Sequence, residues 1–299
     1  MSLAERCVAA DMTLGVGGVY IRFASAEPDL KLRVTFPRTR FVTSGIGCPD
    51  TTVEVTFGDP DPGTAPPWFA SGGSWEIHEG HLGGDGIIFY TALGIGGRAP
   101  MTRLELTQDL SRGELVVDRR YVRQNEMELG YPMDEYLMAR LLARRGATIL
   151  HASCVAENGG AYVFTGHSGA GKSTISSIAE ECGWKVLSDD RTVLTLRDGV
   201  VRAGGTPWHG SHKSGLAESL PIHAIFLLEQ ADEDKAFGME PSRAFAELVV
   251  RTVRPLADMT EQIAVLEVVE RVVRSVPLGV LRFRPTPYAL RVAREFVTG

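Results

Sequence analysis

One nine-residue stretch constrains this chain more than any other: Gly166-His167-Ser168-Gly169-Ala170-Gly171-Lys172-Ser173-Thr174. It fits G-x-x-x-x-G-K-[ST]. It stands between an apolar run, Ala161-Tyr162-Val163-Phe164, and a segment with helical spacing, Lys172 to Cys182. A glycine loop between a strand and a helix lets the backbone curl so that successive N–H groups point inward. The helix adds its positive N-terminal end, and the two together cradle phosphate. Gly166, His167, Ser168, Gly169, Ala170, Gly171, Lys172, Ser173 and Thr174 are therefore the expected nucleotide-binding residues. In this pattern Lys172 reaches the β- and γ-phosphates and the Ser173 hydroxyl ligates Mg²⁺. One of only five lysines in the chain stands where the pattern requires it.

The approach to the loop is also informative. Ala147 to Ala156 reads as a strand, and Asn158-Gly159 separates it from the run at Ala161. Asn-Gly is a strong hairpin signal, because a type I′ turn needs two residues with positive φ. Strands joined so tightly are antiparallel, since a parallel crossover needs a dozen or more residues. With Asn158 and Gly159 as the turn, Ala156 faces Ala161, and His151 faces Gly166. That register sets an imidazole beside the first glycine of the loop. The alternative is a strand histidine satisfied inside the core. Next comes Val186-Leu187-Ser188-Asp189-Asp190, an apolar strand ending in two carboxylates. A metal-bound nucleotide needs such groups on a neighbouring strand end. Asp189 and Ser173 are thus candidate metal ligands, and Asp189 and Asp190 candidate catalytic residues beside Lys172 and His151. The alternative is an Asp pair that merely opens a loop. The hairpin argues against an ordinary parallel phosphate-loop sheet. No Asn-Lys-x-Asp for guanine and no Leu-Ser-Gly-Gly-Gln occurs, so a GTPase or transport ATPase is not expected.

The rest of the chain sets the frame. Residues 1–128 read as a β-rich domain and 129–299 as the nucleotide-binding domain. Leu30 to Phe36, Thr52 to Phe57 and Arg103 to Thr107 alternate apolar and polar, and Ile87 to Tyr90 is an apolar run. Gly, Pro, Asp and Ser clusters at Gly58 to Pro67 and Gly80 to Gly86 are expected to separate strands. A helix is expected over Pro132 to Arg145, with Leu137, Met138, Leu141 and Leu142 as its apolar stripe and Gly146 as its stop. Further on, the pattern predicts strands at Arg191 to Leu196, Val200 to Ala203, His223 to Leu228 and Leu278 to Phe283. It predicts helices at Ser242 to Arg251, Thr260 to Arg274 and Tyr288 to Val297. The loop Thr206 to Lys213 gathers Trp208, two histidines and a lysine, and reads either as an active-site loop or as a solvated loop with Trp208 packed inward. Gly15 to Gly18 and Gly94 to Gly97 read as turns, since neither precedes a helix.

Composition excludes several classes. Net charge is −6, with no basic surplus for phosphate backbones, so nucleic acid is not an expected partner. No apolar run of spanning length and no signal peptide is read, so no membrane association is expected and the cytoplasm is the expected location. Cys7, Cys48, Cys154 and Cys182 show no C-x-x-C spacing, and a zinc site has no support.

These pieces together resemble the catalytic domain of the HPr kinase/phosphorylase family, which shares its fold with ATP-dependent phosphoenolpyruvate carboxykinase. The order of His151, then Gly166 to Ser173, then Asp189-Asp190 is similar to the family's His strand, G-D-S-G-V-G-K-S loop and Asp-Asp pair. The resemblance covers about residues 131–230 well. It implies an α/β (α+β) fold with a mixed β-sheet phosphate-loop kinase domain, carrying here a β-rich N-terminal domain. It implies ATP and Mg²⁺ as cofactors. It also implies transfer to a serine or other hydroxyl of a protein, peptide or small-molecule acceptor, and leaves a homo-oligomer open. Asp190 would take the acceptor's proton, Asp189 support the metal and His151 tune or orient the aspartate, with the two aspartates' roles open to exchange. The chain departs from the family at His167, where an Asp is frequent. It also lacks a clear match for the downstream Glu-x-Arg-Gly loop, offering Gly205-Thr206-Pro207-Trp208-His209-Gly210 instead, and its N-terminal half differs. It looks more like divergent kinase-like relatives, some of which modify ribosomally made peptides such as lasso peptides. An ATP-binding regulator or scaffold with little transfer activity is the alternative.

Overall fold

Period-two alternation builds the first half of the chain into sheet. The computed structural model describes residues 6–299 apart from 26, 62–65, 72–73, 92–98, 123–125, 131, 212–213 and 257. It is a mixed α+β molecule, and its Cα packing separates two compact units, residues 1–35 with 42–141, and residues 36–41 with 142–299.

The first unit holds β1 (Arg6–Ala9), β2 (Asp11–Val16), β3 (Val19–Ser25), β4 (Lys31–Thr35), β5 (Val42–Thr43) and β6 (Thr51–Phe57). It continues with β7 (Phe69–Ser71), β8 (Trp75–Glu79), β9 (Gly83–Thr91), β10 (Ala99–Thr107), β11 (Arg112–Val117), β12 (Glu126–Glu128) and most of α1 (Met133–Arg144). One nine-stranded sheet runs β5-β2-β3-β6-β11-β10-β9-β8-β7, and β1-β4-β12 form a smaller one. Ile21, Phe23, Val53 and Val55 are fully buried while Arg22 and Glu54 between them are not, the burial of a one-faced strand. Gly17 and Gly18, both at positive φ, turn β2 into β3, while Gly15, expected in the turn, pairs with Tyr20 inside the ladder. The expectation for Gly80 to Gly86 is corrected: Gly83 to Gly86 lie inside β9. The sheet draws the backbones so close there that a Cβ at Gly84 would stand 2.4 Å from the Leu106 carbonyl oxygen. Gly94 to Gly97 lies outside the described residues.

In the second unit, β13 (Thr148–Glu157) and β14 (Gly160–Thr165) form the expected hairpin. Asn158 and Gly159 have φ of 50° and 79°, and Ala156 pairs with Ala161. After α2 (Lys172–Glu181) come β15 (Lys185–Ser188), β16 (Arg191–Arg197), β17 (Val200–Gly204), β18 (Ser219–Gln230), β19 (Lys235–Gly238), α3 (Pro241–Val249), β20 (Thr252–Val253), α4 (Met259–Ser275), β21 (Leu278–Phe283) and α5 (Tyr288–Thr298). The sheet is mixed. β14 pairs antiparallel with β13 but parallel with β18, and β18 parallel with β21. The pairings β14-β13-β16-β17-β18 close on themselves through β14–β18. Both faces of this sheet are covered. One core joins Phe164, Ile175, Trp184, Phe226 and Leu290, and the other joins Cys154, Val163, Ile225, Val268 and Val272. Every residue of β14 is buried, which explains its unbroken apolar run. Among the described residues no helix is long and apolar enough to cross a membrane.

Candidate active site

The site grows from the middle of β13, where the strand changes partners. Its first half pairs with β16 and β20, and its second half with β14 and β15. At the change-over, backbone bonds hold the neighbouring segments. The His151 N–H donates to the Arg251 carbonyl at 2.8 Å, and the Ala152 N–H to the Asp190 carbonyl at 3.1 Å. The Thr165 hydroxyl, last residue of β14, donates to the His151 carbonyl at 2.9 Å. Two consecutive residues thus fix the ends of β14, β15 and α3 around one point.

The glycine loop follows Thr165 directly. Gly171, just before α2, has φ of 106°, a backbone closed to other residues without strain, and a Cβ there would stand 2.6 Å from the Phe283 ring. Gln230 Nε2 donates to the Gly169 carbonyl at 2.7 Å, holding the tip of the loop. No side chain caps the N-terminus of α2, whereas Asp258 caps α4. The first N–H groups of α2 thus lack a side-chain acceptor of the kind Ser, Thr, Asp or Asn supplies. Lys172, Ser173 and Thr174 form its first turn. Lys172 is 8% exposed, and its Nζ lies 3.3 Å from the Gly166 carbonyl and 3.4 Å from that of His167. Burial, with Arg191 and Arg251 nearby, holds its pKa below the usual lysine value against the opposing pull of Asp190. His167 and Ser168 are exposed, and the His167 Nδ1 lies 2.7 Å from the Ser168 carbonyl.

The Asp pair occupies the turn from β15 to β16. Hydroxyls of Ser188 and Thr206 both donate to the Arg191 carbonyl at 2.5 Å, closing this turn. Asp190 presents its two oxygens to an imidazole and a guanidinium: His151 Nε2 lies 3.0 Å from Oδ1 and Arg191 Nη1 2.5 Å from Oδ2. Burial is the largest influence on this carboxyl and pushes its pKa up. The His151 hydrogen bond and the charges of Arg191, His151 and Lys172 together outweigh it and hold the group below the usual carboxylate range. Asp189 is 1% exposed and accepts from the Gly210 N–H, 3.2 Å from each carboxylate oxygen. Ser211, the next residue, bonds through its hydroxyl to that of Ser173 at 3.2 Å. One short loop therefore ties Asp189 to the first turn of α2. In the Thr206–Lys213 loop Trp208 is buried, while Gly210 and Ser211 contact Asp189 and Ser173. His212 and Lys213 lie outside the described residues.

A cavity of about 400 Å³ opens beside these groups, lined by His151, Gly166, His167, Ser168, Arg191 and residues 250–253. His151 and the start of the glycine loop thus share one wall, as the hairpin register implies. Sequence reasoning passed over Arg191 and Arg251, and offered Gly210 and Ser211 only as part of the Thr206–Lys213 loop. Arg191 carried a legible signal, a cation directly after two carboxylates. Arg251 reaches the site only through tertiary pairing.

Among the described residues no three His, Cys, Asp or Glu side chains gather as metal ligands. The oxygens of Ser173 and Asp189 still suit Mg²⁺, which keeps several waters and takes one or two protein oxygens beside substrate phosphates.

In its fold the chain has a distant likeness to the solved Hpr(Ser) kinase/phosphatase from Coxiella burnetii. The match has a TM-score of 0.30 and 12% identity, and covers 50% of this chain and 99% of that one. A family model described as SynChlorMet cassette protein ScmC matches residues 127–262. No curated protein matches.

Proposed function

We propose that the chain is a Mg²⁺-dependent kinase that binds ATP on Gly166 to Thr174 and transfers the γ-phosphoryl group to a hydroxyl of a protein, peptide or small molecule. The observation that carries this reading is the His151–Asp190 contact at 3.0 Å on the border of a cavity that the glycine loop also lines. Lys172 and the N–H groups opening α2 would hold the phosphates, and Ser173 and Asp189 the metal. Mg²⁺, when bound, would neutralise the charge that develops on the phosphates during transfer. The remaining work is positioning and proton transfer. Asp190, ionised at neutral pH, accepts the acceptor's proton. His151 at Oδ1 and Arg191 at Oδ2 fix the carboxylate's plane, so the base does not turn away. Phosphoryl transfer asks little covalent chemistry of a protein, and this small set of groups suffices.

The test is ADP formation from Mg·ATP by wild type and Asp190→Asn, with nucleotide affinity measured on both. The reading expects Asp190→Asn to keep nucleotide binding and lose about 10²–10⁴-fold in transfer. Full transfer by Asp190→Asn would contradict the base assignment. Tight Mg·ATP binding with no transfer by the wild type would favour a nucleotide-binding regulator instead.

A further inference from the structure

The cavity beside the glycine loop has a composition that the transfer reading does not use. Its lining includes Gly166, His167 and Ser168 but none of Gly169 to Thr174. It therefore brings the start of the loop together with His151, Arg191 and the segment 250–253. Its ionisable lining is Arg191, Arg251, His151 and His167, with no carboxylate. Carboxylates pair with these groups: Asp190 with Arg191 and His151, and Glu247 with Arg251.

Arg251 is the decisive group. Its Nη1 donates to the Glu247 carbonyl at 2.7 Å and to Glu247 Oε2 at 2.5 Å, while its Nε is buried without a hydrogen-bond partner. A buried donor left unpaired is unfavourable, and a native one calls for a partner. Arg33 and Arg103 also carry a buried Nε that makes no hydrogen bond, although the Arg103 Nε lies 3.1 Å from Glu105 Oε1 in an ion pair. Arg251 differs from them because its side chain lines a cavity beside a cluster of reactive groups. Its carbonyl accepts the His151 N–H, so the backbone at Arg251 is tied to the residue that contacts Asp190. Nη1 is taken by Glu247 and Nε is closed to solvent, so Nη2 is the charged donor left for a carboxylate or phosphate in the cavity. Val250 and Val253 add apolar wall, Val250 at a rim that is 70% exposed. The volume falls in the range of small-molecule sites.

We propose that this cavity is the acceptor pocket, and that it takes a hydroxyl compound carrying a carboxylate or phosphate group, which Arg251 holds while the hydroxyl faces Asp190. The inference rests on the transfer reading above. The reaction balances: the bond from Pγ to the ADP oxygen breaks, a bond from Pγ to the acceptor oxygen forms, and the hydroxyl proton passes to Asp190 and then to solvent.

The test is calorimetric titration of the full chain, with Mg·AMP-PNP first and then, at nucleotide saturation, with glycerate, glycerol 3-phosphate or glycerol. The proposal expects the nucleotide-loaded protein to bind at least one of the two anions and to ignore glycerol. Which anion binds tells carboxylate from phosphate. In Arg251→Gln that affinity falls at least about tenfold, and Arg251→Lys, which keeps the charge but not the planar guanidinium, falls between. Val250→Trp, at the exposed rim, blocks the mouth without touching either arginine and should weaken the same anion. Each variant is titrated with Mg·AMP-PNP beforehand, which reports folding. Failure of the wild type to bind Mg·AMP-PNP would overturn the transfer reading itself. Nucleotide binding with no second anion, or an anion affinity indifferent to both Arg251→Gln and Val250→Trp, would overturn the pocket alone.

Discussion

At the scale of single residues, the site stores unfavourable charge that a ligand relieves. Lys172 is buried and touches only carbonyl oxygens at 3.3 and 3.4 Å, and burial pulls its pKa down. A buried cation with no carboxylate in direct contact is costly. Lys172→Met is therefore expected to melt at the same temperature as the wild type or higher without nucleotide, and to lose the ATP-induced rise in melting temperature. A fall of several degrees in the nucleotide-free variant would contradict this account of Lys172. Asp190 works in the opposite sense. Its pKa is lowered on folding, so its ionisation stabilises the fold above the unfolded value of about 3.9, and that contribution fades as pH falls through the lower folded value. The stability gap between wild type and Asp190→Asn should hold from pH 5 to 8 and close only below about pH 4. Chemical denaturation across pH measures it, and a gap closing between pH 5 and 7 would show the carboxyl raised instead. His151, Lys172 and the aspartates could all be picked out from residue order, because local spacing decides which strand end carries them. Arg251 could not, since its place beside His151 depends on β20 pairing with β13 across about a hundred residues of chain.

At the scale of elements, the hairpin was the most legible part. A two-residue turn with positive φ fixes register, and register sets His151 at the loop. Less legible was what holds the loop of Gly210 and Ser211. Residues 36–41 lie far upstream, yet they pack with the second unit. Arg40 Nη1 donates to the Gly215 carbonyl at 3.1 Å, and a Cβ at Gly215 would stand 3.3 Å from both Phe41 and Pro37. Phe41 is buried. Nothing in the pattern of residues 36–41 signals this packing, because a six-residue segment has no period to read. Phe41→Ala should cost about 3 kcal/mol in denaturant unfolding, the usual effect of emptying a buried aromatic site. It should also weaken Mg²⁺ dependence more than nucleotide affinity, since the loop behind it carries the residues tied to Asp189 and Ser173. Unchanged Mg²⁺ affinity would mean that the segment supports the fold and not the site. The glycines of β9 misled for a related reason: Gly83 to Gly86 resemble a separator in sequence, but close backbone approach in the sheet selects them.

At the scale of the whole molecule, each unit follows its own periodicity. Alternating strands build the nine-stranded sheet of the first unit, and strands mixed with helices build the second. The mixed sheet explains why the glycine loop resembles a parallel phosphate-loop fold locally and differs one strand away. β14 keeps a parallel neighbour in β18 but is delivered by an antiparallel one, β13. That delivery brings an imidazole to the loop, and the central claim depends on it. A crystal structure of the chain with Mg·AMP-PNP tests the claim most directly. The account predicts phosphates on the backbone between His167 and Thr174, with the γ-phosphate turned toward the Asp190 carboxylate. Phosphates bound elsewhere, or a γ-phosphate directed away from Asp190 and His151, would contradict it.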